Sequence, residues 1–119
     1  VRKYLWLCCA ILLIVGCNGT TNYPQTVEFR VGGTNGVEFT CYYGDTLGNG
    51  TNANGTVPIS YYVELENDTV MATGSFYKLD TSYWDDTLLV ELYVDDAFVE
   101  SDTSINSDYI QLFYPEYPY

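Results

Sequence analysis

Residues 27–43 read VEFRVGGTNGVEFTCYY. Val27, Phe29 and Val31 alternate with Glu28 and Arg30, and Val37, Phe39, Cys41 and Tyr43 alternate with Glu38, Thr40 and Tyr42. Successive side chains of an extended chain point to opposite sides, so an apolar residue at every second position marks a strand with one buried face. Between the two runs, GGTNG at residues 32–36 is a turn cluster.

The same period continues outward from this stretch. PISYYVEL at residues 58–65 puts Ile59, Tyr61, Val63 and Leu65 on one face, and TVMATGSFYKL at 69–79 puts Val70, Ala72, Gly74 and Phe76 inward. TLLVELYV at 87–94 aligns Leu88, Val90, Leu92 and Val94. Asp95-Asp96 stands where a tight hairpin belongs, before AFVES returns. DYIQLFY at 108–114 supplies a last strand with Ile110, Leu112 and Tyr114 inward. GDTLGNGTNANGT at 44–56 has no periodicity and reads as a long polar loop; END at 66–68 and DTSYWDD at 80–86 read as polar connections. About seven short strands and no helix in this region predict an all-β fold, a single antiparallel β-sandwich of immunoglobulin-like type over residues 27–114, with 115–119 as a C-terminal tail.

The N-terminus differs in kind. Arg2 and Lys3 precede an uncharged stretch with Leu5, Leu7, Ile11, Leu12, Leu13, Ile14 and Val15. A basic head and a short apolar run are the pattern of an export signal, and the run is shorter than the ~20 residues of a membrane span. Ile14-Val15-Gly16-Cys17 resembles the lipobox of bacterial lipoproteins. That resemblance implies cleavage after residue 16, acyl chains on Cys17 and a membrane partner through them. Two or three chains anchor stably where one is marginal. Residues 17–26 then form the lipidated Cys and a polar linker. The implied location is extracytoplasmic, on the outer membrane in a two-membraned cell because Asn18 is not an inner-membrane retention Asp.

Without residues 1–16 only Arg30 and Lys78 remain against sixteen acids, a net charge of −14. Nucleic acid is excluded as a partner class, since phosphate binding needs basic patches. The chain has no His, which removes Ser/His/Asp and Cys/His catalysis and His-based zinc sites. Acids are so plentiful that no carboxylate pair by itself points to glycoside hydrolysis. The expectation is a non-catalytic protein without a cofactor.

The segments VEFRVGGTNGVEFTCYY, VPISYYVEL, TVMATGS, LLVELYVDDAFVESDTS and DYIQLFY, in this order, resemble the small MmpS-like, immunoglobulin-type domains. The first is a strand pair split by a Gly-rich turn. The family's members are exported or membrane-tethered, and the mycobacterial ones accompany RND-type exporters, so the resemblance implies a transporter partner. The chain has Asp95-Asp96-Ala97 where the family has Asp-Gly-Lys, and Pro58-Ile59 where it has Pro-Trp.

Several side chains remain as candidate sites. Tyr42, Tyr62 and Tyr93 alternate with core positions and so line an outer face; with Trp84 they form a candidate surface for an envelope protein or a glycan. Asp85, Asp86, Asp95 and Asp96, with Asp45, Asp80 and Asp102, offer oxygen ligands for Ca²⁺ if the loops gather them, although the spacing is not that of an EF-hand. Cys41 shares its parity with Val37 and Phe39 and is expected in the core. Asn18, Asn49, Asn54 and Asn67 each begin an N-x-T acceptor triplet; they are read as turn residues. A secreted immunoglobulin-like glycoprotein of eukaryotic or viral origin, or a Ca²⁺-dependent adhesion module, are the alternatives to the envelope lipoprotein.

Overall fold

The computed structural model describes residues 22–79, 86–104 and 109–115. The expected lipidation site Cys17, the lipobox residues Ile14, Val15 and Gly16, and the candidate site residues Asp80, Trp84 and Asp85 lie outside them. Eight strands are found: β1 (Gln25–Gly33), β2 (Glu38–Asp45), β3 (Gly50–Thr56), β4 (Ile59–Leu65), β5 (Ala72–Lys78), β6 (Leu88–Val94), β7 (Ala97–Ser104) and β8 (Tyr109–Tyr114). They form two antiparallel four-stranded sheets, the first in the order β4-β1-β6-β7 and the second β3-β2-β5-β8. The expected all-β antiparallel sandwich is therefore present.

Three details differ from the sequence reading. The strand domain begins at Gln25 rather than at residue 27, because Gln25 and Thr26 pair with Leu65 and Glu64, and Tyr23 packs on the core. β1 and β2 are not paired with each other. The turn at residues 34–37 carries the chain from one sheet to the other, so the two apolar faces meet across the ~10 Å that separates packed sheets. Finally, residues 50–56 are not loop. GTNANGT pairs residue for residue with β2, from Glu38↔Thr56 to Gly44↔Gly50. An edge strand is held by its backbone ladder and has no need of an apolar face, so it leaves no period in the sequence.

The core lies between the sheets, where Phe29, Phe39 and Phe76 are fully buried. Their rings pack at tilted angles, Phe29–Phe76 at 5.6 Å and Phe39–Phe76 at 6.2 Å between centroids. Gly74 makes the room: a Cβ there would come within 3 Å of both Phe76 and Phe29. Cys41 is in the core as expected, and burial pushes its thiol pKa up, so it is an inert small apolar residue there. Lys78 continues the inward parity of Phe76 and is buried, its ammonium donating to the Asp86 carbonyl at 2.7 Å. Ile59, placed inward by its parity, sits at the sandwich margin and is exposed.

Tyr61 carries a cost within this core. Its hydroxyl is buried beside the Cys41 thiol and has no hydrogen-bond partner of good geometry among the described residues. Burial, with Cys41 second, pushes its pKa up to about 12. A buried hydroxyl without a partner costs about 1–3 kcal/mol. Tyr61→Phe keeps the ring that packs against Phe39 and Tyr43 and is expected to raise stability by about 1 kcal/mol. Urea unfolding checks this; a loss of that size would mean the hydroxyl is satisfied.

Candidate functional site

The outer face of the first sheet carries a cluster of polar and aromatic side chains in direct contact. Strand register builds it. Glu28 on β1 stands opposite Tyr62 on β4 and Tyr93 on β6, and Tyr93 stands opposite Phe98 on β7. One row thus crosses all four strands as Tyr62, Glu28, Tyr93, Phe98. The next row is Ser60, Arg30, Glu91, Ser101. Phe98 joins the first row because the two-residue Asp95-Asp96 turn pairs Val94 with Ala97 and Tyr93 with Phe98; β7 shifts register just beyond, so that Leu92 meets Glu100. The Tyr93 and Phe98 rings then meet edge to face, with centroids 5.6 Å apart.

Glu28 is the centre. The alternation marks it as solvent-facing, yet it is only 8% exposed, covered by its neighbours. Its Oε2 accepts from Arg30 Nε at 2.9 Å and from Ser60 Oγ at 2.8 Å. Burial works to raise its pKa, but the hydrogen bonds from Arg30, Ser60 and Tyr62 and the Arg30 charge outweigh it and hold the carboxyl below its ordinary value. Arg30 is fixed in turn, its guanidinium carbon 3.7 Å from the centre of the Tyr93 ring. The hydrogen bond to Glu28 raises the Arg30 pKa against the opposing effect of burial.

The sign of the Glu28 shift sets a pH dependence. A carboxyl whose folded pKa is depressed adds stability above its unfolded value, near 4.5, and loses it as pH falls through the folded value. Glu28→Gln is therefore expected to be about 1–2 kcal/mol less stable than wild type at pH 7. The gap should close below pH 4.5, the ordinary value. Melting curves of both proteins from pH 7 to pH 3 check this; a constant gap would mean the charge of Glu28 contributes nothing.

The structure divides the other expected residues. Tyr62 and Tyr93 share the first sheet's outer face, but Tyr42 does not join them. It lies on β2, on the outer face of the second sheet, with its ring over Gly50. Tyr77 and Tyr109 stack on that second face at 5.2 Å. Asp86 does not gather with Asp95 and Asp96. Asp86 precedes β6 and Asp95-Asp96 follow it, so the length of the strand, about 20 Å, separates them. Among the described residues no group of three or more His, Cys, Asp or Glu side chains is placed to hold a metal. Asp95 instead ties the β6–β7 hairpin to β1. Its Oδ1 accepts from Thr26 N at 2.9 Å, and its own N–H donates to Thr26 O at 2.9 Å. Asp95 and Asp96 both take positive φ, 49° and 69°, the left-handed geometry of a tight hairpin.

Of the triplet asparagines, Asn49 sits in the β2–β3 turn, where its Nδ2 donates to Asp45 Oδ2 at 3.1 Å. Asn67 closes a small turn by accepting from Thr69 N and Oγ1 at 3.0 and 2.6 Å. Asn54 is different: it lies within β3, exposed, and forms no turn.

Apolar alternation does not single out Glu28, Arg30, Ser60 or Phe98 as site residues. Arg30 following Glu28 by two positions is a legible signal of a same-face ion pair; the partners on β4, β6 and β7 leave none. No protein-family model matches the chain, and no curated protein matches it.

Proposed function

We propose that the chain is a non-catalytic binding module of a cell envelope, tethered to a membrane by acyl chains on Cys17 and offering the outer face of its first sheet to a partner. The observation that carries the reading is the fixed geometry of that face. Glu28 and Arg30 are locked to each other and to Tyr93, while Tyr62 and Phe98 remain 60% and 55% exposed. Exposed aromatic rings beside a pre-organised ion pair lose little entropy on binding, which suits recognition. A carboxylate kept charged by three donors is poorly suited to act as a general acid. The resemblance of the chain to MmpS-like domains supports an envelope partner and is the ground for a transporter among the candidates.

The test of the tether is the intact mass of the protein from a membrane fraction, beside a Cys17→Ser control. The expected mass is that of residues 17–119 plus two or three acyl chains, lost in the control. A second reading has one observation in its favour: Asn54 is exposed and, being within a strand, is not explained as a turn residue. On that reading the chain is a secreted glycoprotein, and the same measurement would show glycan mass and no lipid.

A further inference from the structure

Gly32 lies inside β1 on the outer face of the first sheet, one position beyond the Arg30 row. A glycine within a strand weakens it, and it usually marks a bulge, a sharp bend or a close approach by something else. The chain itself makes no such demand at Gly32. β1 keeps its register with β6 through Gly32↔Leu89, while its pairing with β4 ends one residue earlier at Val31↔Ile59. The backbone at Gly32 is not in the left-handed region, and a Cβ built on it meets nothing within 4 Å. Gly32 lies in the floor of an open surface notch of about 370 Å³, bounded by Arg30, Pro58, Ile59, Ser60 and Glu91.

The charges around the notch are unevenly satisfied. Arg30 is the direct cross-strand neighbour of Glu91, but it turns away to Glu28 and Tyr93. The Glu91 carboxylate is left at the rim with no ion pair among the described residues. The other cation among the described residues, Lys78, is buried with its ammonium on the Asp86 carbonyl, so it does not serve Glu91. The chain as a whole carries −12, a field that draws cationic partners and repels anionic ones.

We propose that the notch over Gly32 receives a lysine side chain of a basic polypeptide partner, with its methylene stem on Gly32, Pro58 and Ile59 and its ammonium on the Glu91 carboxylate. Lysine suits both halves, a long apolar stem and a charged head. This rests on the reading of the first sheet's outer face as the binding face, and it names the partner's chemistry.

The test is an amide chemical-shift titration of the full-length chain, purified in detergent, with three probes: a short peptide of alternating Lys and Ser, the same peptide with Glu for Lys, and a neutral chitin oligosaccharide. The Lys peptide is expected to move the Gly32, Ser60 and Glu91 amides in a saturable way. Its affinity should weaken at least tenfold in Gly32→Val, which sets a branched side chain on the floor of the notch where the stem would lie, and in Glu91→Gln, a surface change that spares the backbone. Shifts spread over the acidic loops and unchanged in both variants would reduce the effect to general charge attraction and overturn the proposal. So would the same amides responding to the oligosaccharide instead. Binding lost in Phe98→Ala but intact in Gly32→Val would overturn the notch and leave the binding face standing. No response of the first sheet to any probe would count against both.

Discussion

Phe76→Ala is expected to remove about 3–5 kcal/mol of stability, the usual cost of deleting a buried aromatic ring. Phe76 is fully buried at the centre of the sandwich, in contact with Phe29 from the facing sheet and Phe39 from its own. Truncation leaves a cavity bounded by two rings that sit on β1 and β2, the interior strands on which each sheet is built. Those strands cannot move inward without breaking ladders on both sides, so the cavity will not collapse. A domain of this size has only about 5–15 kcal/mol in hand, and the loss is therefore a large share of the whole. Urea unfolding should show a lower midpoint with an unchanged slope. Phe98→Ala, at an exposed ring on β7, should change stability by less than about 0.5 kcal/mol. Equal effects of the two substitutions would mean that the core is placed wrongly.

The neighbouring glycines of β1 should respond in opposite directions. Gly33→Ala is expected to cost about 3 kcal/mol, from a left-handed backbone and from overpacking together. Gly33 has φ +110°, and a Cβ there would overlap the backbone carbonyl of Thr87. That carbonyl cannot yield, because it accepts from Thr34 N at 2.8 Å and so closes the end of β1 against the start of β6. Gly32→Ala adds a methyl into open space in ordinary strand geometry. It should be neutral or stabilising by up to about 1 kcal/mol, because it narrows the unfolded chain without straining the folded one. Thermal or urea unfolding of the two variants checks the pair; similar losses at both positions would remove the structural ground for treating Gly32 as a vacancy made for a ligand.

Six of the eight strands could be read from apolar alternation and β7 from the hairpin turn before it, and the parity of Phe29, Phe39, Cys41, Phe76, Leu92 and Ile110 correctly named the core. The exception, β3, shows where that signal ends. Its outward and inward positions are both small or polar, so the only force that places GTNANGT is backbone pairing with β2. Alternation also told inside from outside without telling which outside. Tyr42 and Tyr62 share the same outward parity in their strands, yet one faces away from the second sheet and the other from the first. Glu28 shows a related gap. Its position in the pattern marks a solvent-facing carboxylate, and only the arrival of Tyr62 and Ser60 from β4 and of Tyr93 from β6 covers it.

The sequence by itself determined what each strand needed locally. It set the β class, the inward faces, the hairpin at Asp95-Asp96, the strongly acidic character and the chemistry ruled out by the lack of histidine. Those properties follow from residues within a few positions of one another, where side-chain period and turn stereochemistry are decided. Tertiary structure decided the rest: the arch that sends β1 and β2 into different sheets, the order β4-β1-β6-β7, and hence the row of Tyr62, Glu28, Tyr93 and Phe98. Residues 28 and 93 become neighbours through backbone ladders between segments 65 positions apart. A pairing of that range is chosen by which faces bury best together, a property of the whole chain.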